Sequence, residues 1–284
     1  MRWFHGFQKL RQIAASELAF ASKLRYIFDA AMRRFRPEAP GGVRKYGLRG
    51  GGSIVLREDA TDRKVFEEIF LDRTYLHLAK SIAAAQPAVL IDLGANIGLS
   101  AIALARALRP KAIAAVEPDA QNFAMLQENL RVAGIEKCCV TMQAFAGVER
   151  GFAELVDSGN GAWGMRMGAP TAAGIPVLPL EEIVSAAQRL AGLDRYTTVL
   201  KCDIEGAEAA LFRRLRQWED LIDDVILELH TEFLSAEEFY QSLAASNYDW
   251  KIEGTISPQA VLATIRLKRG PRKPVAQSQG AAGS

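Results

Sequence analysis

Val89-Leu-Ile-Asp-Leu-Gly-Ala-Asn-Ile-Gly98 is the stretch whose reading decides the fold. An apolar run ends in Asp92, a glycine-bearing turn follows from Gly94 to Gly98, and Leu99–Leu108 has the apolar spacing of a helix. A second apolar run, Ala112–Val116, is closed by Glu117, twenty-three residues after Gly94. Strand, glycine turn, helix and a second strand ending in an acid make the opening half of a nucleotide-binding α/β domain.

The residue types narrow the nucleotide. A dinucleotide site sets pyrophosphate on a helix N-terminus and reads G-x-G-x-x-G. Gly94-Ala-Asn-Ile-Gly98 lacks that pattern, and a carboxylate at the strand tip would repel a diphosphate. S-adenosylmethionine has no phosphate; it carries a sulfonium, an ammonium group and two ribose hydroxyls. Asp92 suits the cationic methionine end, the glycines allow close approach of the chain, and Glu117 can accept both hydroxyls. A dinucleotide site and an ordinary strand-to-helix turn with exposed acids stay open as alternatives at this point.

Working outward, 284 residues with 49% hydrophobic content can bury a sizeable core. No apolar run reaches the roughly 18 residues of a spanning helix, and the N-terminus lacks the apolar block of a secretory signal. The three cysteines, Cys138, Cys139 and Cys202, form no disulfide framework or zinc spacing, so a cytoplasmic location is expected. Charge is uneven: residues 1–36 carry +6, residues 266–284 carry +5, and the body between them carries −9. An acidic body with basic ends is not the stripe of a DNA-binding groove.

Three regions follow. Residues 1–36 read as a basic amphipathic helical arm, with Trp3, Phe7, Leu10, Ala14, Leu18, Ala21, Leu24, Phe28, Ala31 and Phe35 at helical spacing. The plainer role for it is packing on its own domain; contact with the inner face of a membrane, or self-association, is the alternative. Pro37–Gly42 marks a boundary. Residues 43–268 form the main domain, and 269–284 read as a disordered basic tail. Within the main domain a hairpin is expected at 43–48 and 53–57, then helical periodicity over 62–85 with a break near Asp72–Arg73. Strands at 88–92, 112–116, 138–142, 197–202 and 224–229 alternate with helices, residues 143–180 are less regular, and two strands near 248–254 and 260–268 close the chain. The fold class is therefore α/β, doubly wound, with a mainly parallel sheet covered on both faces.

In such sheets ligands sit at the carboxyl ends of the strands. Strand 197–202 runs into Lys201-Cys-Asp-Ile-Glu-Gly-Ala-Glu208, and strand 224–229 into Glu228-Leu-His230. Clustered charges there are either paired or functional, although acids at a helix N-terminus are also favoured by its dipole. Asp203, Glu205 and His230 are the candidate catalytic residues, in that order, as proton acceptors from an alcohol. Hard oxygen ligands would suit magnesium, but capping and charge balance explain the same acids, so no metal is assigned. Trp163, in the glycine-rich stretch 157–170, reads equally as a lid or as a cap on the core.

Four segments together resemble the FkbM-type methyltransferases, within the class I S-adenosylmethionine-dependent group. They are Ile91–Gly98, Glu117-Pro118 with Asn122-Phe123, Leu126 and Asn129, then Leu200–Glu208, and Glu228-Leu-His230, spanning roughly residues 55–235. The resemblance implies a seven-stranded Rossmann-like sheet and O-methylation of a small molecule or glycan. It also implies a cofactor site lined by Asp92, Gly94, Asn96, Gly98 and Glu117, with which Ala95, Asn122 and Phe145 are grouped. Two departures stand out: Leu178-Pro-Leu-Glu181 replaces the usual Thr-Leu-Asp, and 157–170 matches nothing. An RNA methyltransferase using the basic arm, or a non-catalytic cofactor-binding protein recruited by it, are the competing readings. No Asn/Asp-Pro-Pro-Tyr and no Pro-Cys is present, so base amino and cytosine C5 chemistry lack support.

Overall fold

A computed structural model describes residues 2–32, 42–58, 60–82, 88–157, 165–192, 196–256 and 261–274. The chain opens with α1 (Arg2–Ala15), α2 (Phe20–Met32), β1 (Val43–Gly47), β2 (Ser53–Arg57), α3 (Asp62–Phe66), a π-helical turn (Glu67–Asp72) and α4 (Leu76–Ile82). The alternating part follows as β3 (Ala88–Leu93), α5 (Leu99–Leu108), β4 (Ala112–Val116), α6 (Ala120–Ala133) and β5 (Cys139–Met142). Next come β6 (Phe145–Gly147), β7 (Gly151–Asp157), β8 (Met165–Pro170), β9 (Ile175–Pro179), α7 (Leu180–Ala191), β10 (Thr197–Cys202) and α8 (Glu208–Arg213). The chain ends with β11 (Asp224–His230), α9 (Ala236–Ala245), β12 (Tyr248–Glu253) and β13 (Leu262–Arg272).

Seven strands form one sheet in the order β12-β13-β11-β10-β3-β4-β5. It is parallel from β11 to β5, and β13 inserts antiparallel between β11 and β12. The chain winds outward from β3 in one direction and then, beginning with β10, in the other, which makes this a doubly wound fold with its switch point between β3 and β10. Every residue of β3, β4 and β11 is buried, as expected of strands covered on both faces. Along β3, Leu90 packs in the core under α1–α6, whereas Val89, Ile91 and Leu93 pack in the core under α7–α9.

Several expectations need correction. The arm is two helices, because residues 16–19 leave the helix to pair with the β1–β2 turn: Leu18 bridges Leu48, and the Ala19 amide donates to the Gly47 carbonyl at 2.9 Å. Its inward residues Ile13, Leu18 and Tyr26 are buried on the main domain. Residues 143–180 are not merely irregular; they build a four-stranded sheet, β6-β9-β7-β8. The tail boundary at 269 falls inside β13, where Arg269 pairs with Asp223 at 2.6 Å and buried Arg266 with Asp224 at 2.5 Å. Residues 275–284, the boundary at 33–41 and Trp163 lie outside the described residues. No helix among the described residues is long and apolar enough to cross a membrane.

The break near Arg73 is present: Arg73 is left-handed, with φ 62°, and ends the π-helical turn. Buried Asn129 on α6 accepts the Val55 amide at 2.6 Å and donates to the carbonyls of Val55 and Ile97 at 3.0 and 2.9 Å. One side chain therefore ties the hairpin to the turn that begins α5.

Candidate active site

The tips of β3 and β10 touch. Gly94 takes φ +68°, and a Cβ there would fall 1.8 Å from the Asp203 carbonyl oxygen, so no other residue fits without separating the strands. Ala95 donates its amide to the Val116 carbonyl at 2.9 Å, and Asn96, at φ 49°, donates its amide to Glu117 Oε2 at 2.9 Å. Glu117 Oε1 accepts the Asp119 amide at 2.9 Å. The glycine turn is thus hung from the end of β4 by one backbone and one side-chain bond. Burial pushes the Glu117 carboxyl up to about 7, even against its two amide donors.

Over these tips lies a cavity of about 450 Å³, a size suited to a small-molecule site. Val116, Ala144, Phe145 and Ala146 give it an apolar end beside β4. Asp203, Glu205, Glu228 and His230 make the other end polar, beside β10 and β11. Of the expected cofactor residues, Gly94, Ala95, Asn96, Glu117, Asn122 and Phe145 line this cavity. Asn122 is held by the Arg57 guanidinium, which donates to its Oδ1 at 2.7 Å.

Asp92 and Gly98 do not line it. Asp92 is fully buried, with Oδ2 accepting the Ser100 hydroxyl at 2.6 Å and Oδ1 lying 3.3 Å from Lys201 Nζ. Lys201 and Asp92 are register partners in the sheet, so their side chains leave the same face, and the lysine stands between the acid and the cavity wall. Gly98 serves packing: at φ +85° it caps α5, and a Cβ would meet Leu126 at 2.8 Å.

Lys201 is itself only 1% exposed. Its ammonium donates to the Leu93 and Gly94 carbonyls at 3.1 and 2.8 Å and lies 3.6 Å from Asp203 Oδ2. Burial opposes its charge, but Asp92, Asp203 and Glu228 outweigh that and hold its pKa above the usual lysine value. Tyr75 donates to Glu228 Oε2 at 2.6 Å and lies 3.1 Å from Asp203 Oδ2. Asp203 is therefore held from two sides. Burial, then the Asp203 charge, push Glu228 up to about 8.

Glu208 anchors the third candidate. Fully buried, it accepts the backbone amide of His230 at 3.0 Å, lies 2.9 Å from His230 Nδ1 and accepts the Gly206 amide at 2.8 Å. Burial works against an imidazolium, but Glu208 first, then Asp203 and Glu205, push the His230 pKa up to about 9. A value raised this far favours the imidazolium over the free base expected from the sequence. Its Nε2 lies 3.7 Å from Glu205 Oε2. Glu205 adopts φ 53°, and burial followed by Asp203 raises its pKa. Asp203, Glu205 and His230 each offer one atom within 4.8 Å of the others; hydrogen bonds and charge balance within the site already account for all three.

Sequence reasoning missed several cavity residues, among them Glu68, Arg166 and Glu232. Glu68 lies in the π-helical turn, and burial followed by the Asp203 charge push it up to about 7. Arg166, from the unmatched stretch, reaches the cavity with its guanidinium 4.9 Å over Phe233. Tyr75 and Lys201, both buried, line it as well. The available signal was the lysine itself, a cation in the middle of an otherwise apolar strand.

No protein-family model matches the chain, and no curated protein matches it. Similar solved structures include the methyltransferase FkbM from Methylobacillus flagellatus KT, at 18% identity and TM-score 0.41, covering 65% of this chain and 43% of that one. Cofactor-bound Rv0187 from MTB is similar at 14% identity and TM-score 0.42, covering 71% and 80%. M. jannaschii TYW2 in complex with AdoMet is similar at 12% identity and TM-score 0.41, covering 80% and 84%. The chain spans less than half the length of the first of these.

Proposed function

We propose that this chain is an S-adenosylmethionine-dependent methyltransferase acting on a hydroxyl of a small molecule or glycan. One observation carries the reading: six carboxyl groups line the cavity at the switch point against three cationic side chains, and the three that burial holds near or above neutral pH would ionise when a cation enters. That excess suits a sulfonium and an ammonium group and opposes a diphosphate. Gly94, Ala95, Asn96, Glu117, Asn122 and Phe145 would hold the cofactor, with Glu117 for the ribose hydroxyls and the apolar end for the adenine. Asp92, the acid the sequence assigned to the methionine end, is spent on Lys201 and does not line the cavity.

When bound, the cofactor supplies a methyl group already activated on sulfur. The protein then aligns the acceptor, excludes water and takes one proton. Asp203, fixed by Lys201 and Tyr75, accepts that proton, with Glu205 as the neighbouring alternative. His230 stays charged and holds Glu205 in place.

Titration calorimetry with S-adenosylmethionine tests the site. Glu117→Ala is expected to weaken binding by about 1–3 kcal/mol, the range for lost hydrogen bonds to charged groups. An unchanged isotherm would remove Glu117 from the site.

The raised carboxyls give a second test. Glu68 and Glu117, at about 7, and Glu228, at about 8, keep protons in the folded chain that the unfolded chain releases near its ordinary 4.5. His230, at about 9, keeps a proton that the unfolded chain releases near 6.5. The native state therefore binds more protons throughout this window, and stability must fall as pH rises through the folded values. The melting temperature of the cofactor-free protein is expected to drop between about pH 6 and pH 9. A cation entering the cavity lowers the same carboxyl pKa values, so binding releases protons and tightens with pH. Calorimetry in buffers of different ionisation enthalpy reads this directly, and proton uptake on binding would contradict it.

A further inference from the structure

Packing on the main domain accounts for only one side of α2. Tyr26 is 2% exposed and faces inward, yet Phe20, Leu24 and Phe28 are 77%, 55% and 54% exposed. Their i, i+4, i+8 spacing puts them in one outward row, and Ala21 and Ala31, also exposed, extend it. Leu10 on neighbouring α1 is 48% exposed as well. A contiguous apolar patch of this kind on a folded protein marks an interaction surface.

The charge around the row selects its partner. Residues 1–36 hold eight basic side chains and two acids. Both acids are already engaged: Glu17 lies 3.3–3.9 Å from Arg106, Arg49 and Arg73, and Asp29 accepts the Tyr46 hydroxyl at 3.0 Å and faces Arg25 at 3.7 Å. Lys9 is paired with Glu67 and Arg25 with Asp29, and residues 1–36 still carry a net charge of +6, so the apolar row lies in a net-positive field. A second copy docked row to row would bring two such fields together, and five side chains fall short of the roughly 20–30 residues each partner gives a stable interface. An anionic surface meets both the charge and the apolar row.

We propose that α2 docks on an anionic lipid bilayer. Phe20, Leu24 and Phe28 enter the boundary between headgroups and acyl chains, and the net positive charge of the arm favours the anionic lipids. The proposal is independent of the reaction assigned to the cavity.

Co-sedimentation of the full chain with phosphatidylglycerol–phosphatidylcholine vesicles, against phosphatidylcholine alone, tests it. Binding to the anionic vesicles is expected to be about tenfold tighter or more, and to weaken in high salt. A Phe20→Ser, Leu24→Ser, Phe28→Ser triple variant is expected to lose about tenfold or more of that binding. Its melting temperature should match the unaltered protein, since all three side chains are exposed. Equal binding by variant and parent, or none to anionic vesicles, would overturn the proposal. A doubled mass by light scattering that reverts to monomer in the variant would also overturn it, by giving the row to a second copy.

Discussion

A Lys201→Met variant is expected to lose about 3–5 kcal/mol of folding stability, the usual consequence of removing one partner from a buried ion pair. The volume is nearly conserved, so the loss comes from charge and not from a cavity. Asp92, with no solvent exposure, would keep only the Ser100 hydroxyl, and the Leu93 and Gly94 carbonyls would lose the ammonium that now bonds them. Those carbonyls shape the turn under the cavity, so cofactor affinity should fall with stability. Denaturant unfolding measures the first effect and calorimetry the second. Adding Asp92→Asn should recover much of the stability, because the stranded charge goes with it; the coupling between the two changes then reports the pair. A midpoint in Lys201→Met that matches the unaltered protein would show that the lysine compensates nothing.

Asp203→Asn is expected to slow methyl transfer by roughly 10²-fold or more, as when a general base is lost, while cofactor binding stays within a few fold of the unaltered protein. Asparagine keeps the shape and one oxygen for Tyr75 and Lys201, so the change removes basicity more than architecture. Transfer of labelled methyl into a metabolite extract reads the rate, and calorimetry reads the binding. Undiminished turnover would pass the role to Glu205, whose carboxyl is raised by burial and by Asp203. The same measurement on Glu205→Gln separates the two. His230 variants should instead act through Glu205 and Glu208, its two carboxylate neighbours.

The main sheet was legible in the sequence for a simple reason. Strands such as Ala112–Val116 and Thr197–Cys202 are buried on both faces and lie between turns, so apolar runs mark them within a residue or two. The four-stranded sheet was not, because its strands are short and half-buried and interrupted by Gly168, Pro170, Pro176 and Pro179, which blur any alternation. The break at 16–19 is a tertiary event, fixed by the pairing of Leu18 with Leu48, and no local signal announces it. In the site, residues at strand tips were found because position alone implicates them. Asp92 was placed at the right tip but aimed wrongly, since a carboxylate reads the same whether it faces a ligand or a lysine on the next strand. Glu68 escaped because a π-helical turn shifts side chains off the 3.6-residue period.

That same turn links two distant parts of the molecule. Glu67 and Glu68 are consecutive, and they look in opposite directions. Glu67 receives Lys9 at 2.5 Å and the Tyr26 hydroxyl at 2.7 Å from the arm, while Glu68 borders the cavity. The N-terminal helices are thus a buttress for the reaction chamber, and a protease that clipped them away would loosen one of its walls.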